Sequence, residues 1–180
     1  MTIAALLGAS PAVRAERDDE ADLLPTLEEI QRLAPGWFDE VRSEGSAGGI
    51  AFRVFRGWRE VQGAAGVEKG RVLLNITIRP RPDSSSPWGP NAWRRAFEQK
   101  QALVSRIPDL RVRQIDLGAF AYIVTRSGGS HVEVTFYTKD WIVTVHNGTD
   151  EPRLAYPAEA QALRIARVLA AKFSQGSPAR

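Results

Sequence analysis

The feature that most limits what this chain can fold into is a two-residue hydrophobic period that recurs between residues 50 and 146. In Arg71–Arg79, Val72, Leu74, Ile76 and Ile78 alternate with Arg71, Leu73, Asn75, Thr77 and Arg79. Successive side chains of a strand point to opposite faces, so this alternation gives a strand with one buried face. Just before it, Phe52 and Val54 alternate with Arg53 and Phe55 in a strand that runs on past Gly57 to Val61. A Gly-rich turn at Gly63–Gly70 joins the two into a hairpin. Leu110–Ile115 leads into a meander of Phe120–Arg126, His131–Thr138 and Trp141–His146. A Ser-Gly-Gly-Ser turn and a tight Lys139-Asp140 turn connect these strands, and Asn147-Gly148 breaks the last.

Elsewhere the period lengthens. Thr26-x-x-Glu29 is a capping box that opens a helix through Leu27, Ile30 and Leu33 or Ala34. Pro35-Gly36 interrupts it, and Trp37, Phe38 and Val41 suggest one more short helical turn before the break at Gly45–Gly49. Asn91 can cap a helix that carries Trp93, Ala96, Phe97, Leu103, Val104 and Ile107 on one face, with Pro108 as its stop. Tyr156-Pro157 starts a last helix with a stripe of Ala162, Ile165, Ala166, Leu169 and Phe173. The expected fold is therefore α+β, with an antiparallel sheet of about five strands and helices packed on it in the order α-ββ-α-βββ-α. Outer strand positions still include Phe55, Leu73, Tyr122, Val124 and Ile142, so helices should cover at least part of both faces.

Residues 23–175 read as a single domain, a size that buries most of its core without staples. Residues 1–22 read as a signal-peptide remnant and linker, and 176–180 as a frayed tail. The apolar run Thr2–Pro11 and the small-x-small Val13-Arg14-Ala15 suggest processing near Glu16, although the basic n-region is missing. A cytosolic tail is the competing reading of that segment.

Composition narrows the chemistry. The absence of cysteine excludes disulfides, thiolate metal sites and a cysteine nucleophile. Two histidines are too few to supply the usual zinc ligand set, and no metal or cofactor is expected. Net charge is +3 without Lys/Arg runs, which makes nucleic acid an unlikely partner class. No uninterrupted apolar stretch has the length of a membrane helix.

Two constellations stand out. A two-residue Lys139-Asp140 turn puts Glu133 opposite His146, Thr135 opposite Thr144 and Phe136 opposite Val143. A carboxylate beside an imidazole is the start of acid–base chemistry, and it is also a common surface pair. In the hairpin, placing Phe52 and Val54 on the face of Ile76 and Ile78, with the turn centred near Gly66, sets Arg53 across from Arg79. Like charges opposed across a strand pair favour an anion or partner carboxylate between them. Phe55, Trp58, Arg81 and Trp88 adjoin, an Arg-plus-aromatic composition enriched at interaction surfaces. Arg53, Phe55, Trp58, Arg79, Arg81 and Trp88 are thus the candidate binding residues.

One segment is familiar as a pattern. Asp116-Leu117-Gly118-Ala119-Phe120-Ala121-Tyr122, a Gly-Gly turn, the alternating strand at 132–136, Trp-Ile-Val-x-Val and the Ala-rich helix 158–173 follow in order. The segment resembles the C-terminal half of extracytoplasmic PsbP-like domains, which include small bacterial lipoproteins and receptor-kinase sensor domains. Phe120 stands where an acidic residue is common, and the lipobox Cys of the lipoproteins has no counterpart. The resemblance implies a non-enzymatic binding, assembly or sensing module and transfers no catalytic residue. The expectation is accordingly an exported, periplasmic module for a protein or small anionic ligand. The alternatives are a small hydrolase or lyase using Glu133 and His146, and a cytosolic adaptor with an arginine-rich face for an acidic partner.

Overall fold

The computed structural model describes residues 21–82, 89, 91–126, 128 and 130–175. After a short turn at Ala21–Leu23 come α1 (Leu27–Leu33), β1 (Glu40–Ala47), β2 (Ile50–Gly63) and β3 (Gly66–Pro80). Then follow α2 (Ala92–Val104), β4 (Leu110–Ile115), β5 (Phe120–Arg126), β6 (His131–Tyr137), β7 (Trp141–Thr149) and α3 (Ala158–Gln175). The strands form one sheet in the order β1-β2-β3-β7-β6-β5-β4, and every neighbouring pair is antiparallel. The α+β class and the antiparallel sheet agree with the sequence reading.

The strand count does not: there are seven rather than about five. Glu40–Ala47, read as leading from a helical turn into a glycine break, is edge strand β1. Its only large apolar residue is Val41, so it carries no alternation to detect. A register irregularity between Val41 and Ser43 and its polar sequence suit an exposed edge. Leu110–Ile115, read as a lead-in, is the opposite edge strand, β4.

The hairpin register also differs. Gly63 pairs with Gly66 around Ala64-Ala65, so the turn is two residues long and not the whole Gly63–Gly70 segment. Arg53 consequently faces Ile76, three positions from Arg79. An odd shift exchanges the two faces of a strand. Ala51 and Phe55 are fully buried beside Ile78 and Leu74, whereas Phe52 is 36% exposed. Gly57 lies on the buried face, where a Cβ would come within 1.8 Å of the Trp37 carbonyl oxygen. Only glycine lets the 37–39 segment cross the strand there.

Helices lie on both faces, as the apolar outer positions require. On the first, α1 and α3 bury Ile30, Ala162, Ile165, Leu169 and Phe173 against the central strands. The larger of these, Ile30, Ile165, Leu169 and Phe173, each contribute about 1.5–3 kcal/mol by leaving water. The capping box of α1 forms as expected, with Thr26 accepting from the Glu29 N–H and Glu29 accepting from the Thr26 N–H. Asn147-Gly148, expected to break β7, instead continues it. Asn147 is buried because its amide donates to the Ala158 carbonyl while its carbonyl accepts from the Tyr156 hydroxyl, tying the sheet to the start of α3.

On the second face α2 covers only one side. The Trp93 ring centroid lies 4.3 Å from that of Phe120, and the Phe97 centroid lies 5.8 Å from that of Tyr122. The expected buried stripe of α2 is not found: none of its residues is fully buried and Leu103 is 43% exposed. A helix resting on the outer strands β4 and β5 meets too little sheet to bury a full stripe.

A half-roofed sheet face as candidate binding site

Antiparallel register lines up the second face in rows across the sheet. One runs Phe52, Thr77, Thr144, Thr135, Tyr122 from β2 to β5, and the next Val54, Asn75, His146, Glu133, Val124. A third begins Arg56, Leu73, Gly148, and Trp58 faces Arg71 beyond it. Helix α2 roofs the β4–β5 end of these rows. Over β2, β3 and the 144–148 part of β7 no described helix packs, and Phe52, Trp58 and His146 are exposed while Val54, Leu73, Asn75, Thr77 and Thr144 are half-buried.

The six candidate residues do not share one site. Trp58 and Arg79 lie on the open face. Phe55 is fully buried on the opposite face, so it contacts core rather than ligand. Arg53 also belongs to that opposite face: its Nε is 2.7 Å from Glu44 Oε2, and its Nη1 donates to the carbonyls of Pro25 at 2.9 Å and Leu24 at 3.4 Å. It is a structural clamp on the N-terminal segment. The Arg53–Arg79 opposition is therefore overturned. Arg81 is half-buried, donates from Nη1 to the Thr138 carbonyl and takes the Asp140 carbonyl with its backbone N–H. Trp88, like most of the Pro80–Pro90 loop, lies outside the described residues.

Charge on the open face is unevenly compensated. Arg56 pairs with Glu40 and stacks 5.5 Å from the Trp58 ring centroid. Arg71 pairs with Asp150 at 2.6 Å. Arg79 makes no ion pair with a described residue; it lies in the row of Ile142 and Tyr137 and interacts with the Tyr137 hydroxyl. Burial raises the Tyr137 pKa above the ordinary tyrosine value despite the pull of Arg79 and Arg81. Tyr122, under the roof, is pushed up to about 12, mainly by burial.

The meander register matches the sequence reading: Glu133 pairs with His146, Thr135 with Thr144 and Phe136 with Val143. Glu133 Oε2 accepts Lys100 Nζ from α2 at 2.5 Å and lies 3.5 Å from His146 Nε2, while Oε1 accepts the Thr135 hydroxyl at 3.2 Å. Desolvation lowers the His146 pKa, and the Lys100 ammonium adds to this against the attraction of Glu133. Lys100 escaped the sequence reading because nothing local in α2 signals a carboxylate 33 residues away. Phe52, Val54 and Arg56 were missed as binding residues because the phase of β2 was inverted; the two glycines that flank Ala64-Ala65 were the available signal.

Two shallow depressions, 360 Å³ around Gln114–Phe120 and 310 Å³ between Leu24, Glu44 and Arg53, lie away from Glu133 and His146. Among the described residues no group of three or more His, Asp or Glu is placed to hold a metal ion, and no helix is long and apolar enough to cross a membrane. No family model, curated protein or solved structure matches the chain. Fold and site define an α+β domain with a seven-stranded antiparallel sheet whose second face is roofed at one end and open at the other.

Proposed function

We propose that the chain is a non-enzymatic binding, assembly or sensor module, working outside the cytoplasm, which docks a protein partner on the open part of the second face. One observation carries this: among the described residues, no helix covers a surface of Phe52, Val54, Trp58 and Leu73, threaded with Arg56 and Arg79, while α2 roofs the other end of the same face. Aromatic and Arg side chains with hydrogen-bonding Thr and Asn between them have the composition of interaction hot spots. The occupant that fits is a protein segment with apolar side chains for the β2 strip and a carboxylate for Arg79, the cation there without a described acidic partner. The PsbP-like lineage belongs to this proposal, supported by the Ala-rich α3 packed on β6 and β7. Export is supported by the apolar run and the Val13-Arg14-Ala15 motif.

The absence of native cysteine makes the test direct. A photo-crosslinker on Thr77→Cys should capture a partner that the same group on Val168→Cys, on exposed α3 surface, does not. Adding Trp58→Ala with Arg79→Glu should abolish the product. Equal products from both positions, or one indifferent to the double substitution, would overturn the docking reading. Recovery of the native gene product in the cytoplasmic fraction would overturn export.

A further inference from the structure

The helix that roofs the second face is held by unusually little. Helix α2 buries none of its residues, and Asn91 at its N-terminus makes no side-chain capping bond. Among the described residues its contacts on the sheet include the half-buried rings of Trp93 and Phe97 and the ion pair of Lys100 with Glu133. The acceptor in that pair, Oε2 of Glu133, is the same oxygen that faces His146 Nε2. One carboxylate oxygen thus lies between a permanent cation on the roof and a conditional one on the floor.

We propose that Lys100, Glu133 and His146 form a proton-sensitive latch that holds α2 on the sheet at neutral pH and loosens it on acidification. When His146 is neutral, Lys100 is the one cation on Glu133 Oε2, while Oε1 accepts the Thr135 hydroxyl. A proton on His146 puts a second cation against the same oxygen and within reach of Lys100, and only the roof cation is free to leave. The described groups facing His146 are Glu133 and His131 on β6, Lys100 on α2, and uncharged Asn75 opposite it on β3. Glu133 is the sole acid among them, and it is already engaged. The sign agrees, since Lys100, carried by the closed roof, opposes protonation of His146, so protons favour the state in which the roof is off. Lifting α2 would uncover Phe120 and Tyr122 and extend the open surface toward β4. The latch does not depend on the docking reading, because it is a property of the isolated chain.

Hydrogen exchange on the intact protein tests it, comparing amides of α2 with those of α3 at about pH 5.5 and about pH 7.5 after correction for intrinsic rates. Exchange in α2 should rise about fivefold relative to α3 at the lower pH, the modest end of coupling free energies. His146→Gln, on the exposed side of β7, should remove that rise. Lys100→Met should leave α2 fast at both pH values. Equal α2 protection at the two pH values, or an acid response that survives His146→Gln, would overturn the latch.

Discussion

The guanidinium of Arg53 shows how a charged side chain on a strand can be structural although its sequence neighbourhood suggests binding. With Glu44 beside it and two backbone carbonyls from Leu24 and Pro25 as acceptors, it has little left to offer a ligand. Its removal should cost stability, since the freed acceptors lose charge-assisted hydrogen bonds worth about 1.5–3 kcal/mol. Arg53→Met is therefore expected to lower the unfolding free energy by roughly 1–3 kcal/mol, whereas exposed Trp58→Ala should stay within about 0.5 kcal/mol. Urea denaturation of the two variants checks this, and the reverse ranking would return Arg53 to the candidate site. Arginine and aromatic composition was legible here. The carbonyls that neutralise Arg53 come from 28 and 29 residues away, and no local pattern announces them.

At the scale of elements, local signals served well and non-local ones did not. The capping box of α1, the Lys139-Asp140 turn and the stripe of α3 each lie within a few residues, and all three form as read. The β2–β3 hairpin failed because two phases fit its alternation, and a turn assigned to the wrong residues selected the wrong one. Strand β1 was invisible because pairing with β2, not its own hydrophobicity, makes it a strand. The inverted phase makes a strong prediction about two neighbouring phenylalanines. Phe55→Ala empties a fully buried site and should cost about 3–5 kcal/mol. Phe52→Ala, on the open face, should cost less than about 1.5 kcal/mol and act on partner capture instead. Equal losses in chemical denaturation would mean that the strand presents its other face to the core.

For the molecule as a whole, pH bounds the folded state from both sides. On the acid side, side-chain and backbone hydrogen bonds from Arg153 hold Glu151 down to about 2, and desolvation with Lys100 lowers His146. Both groups bind protons more readily when unfolded. The contribution of His146 is complete above its unfolded value of 6.5 and wanes as pH falls below it; that of Glu151 is complete above 4.5 and wanes toward about 2. Acid titration of the melting temperature should thus show two successive declines, the first missing in His146→Gln and the second reduced in Glu151→Gln. On the alkaline side all three tyrosines are raised by burial: Tyr122 under the roof, Tyr137 beside Arg79 and Tyr156 hydrogen-bonded to Asn147. A phenol raised in the folded state contributes fully below its unfolded value of 10, and its contribution is lost as pH climbs through the folded value. For Tyr122, moving from 10 to about 12 is worth at most roughly 2–3 kcal/mol. With no exposed tyrosine to titrate first, tyrosinate absorbance should stay flat through pH 10 and then rise in one step with the loss of circular dichroism. Tyr122→Phe should move that step to higher pH, because one of the three deprotonations that pull the chain open is gone. Tyrosinate appearing gradually from pH 9, ahead of unfolding, would mean that at least one ring reaches solvent in the native fold. Tyr122 would then be the first to suspect, since it lies under the Phe97 ring of the lightly held α2.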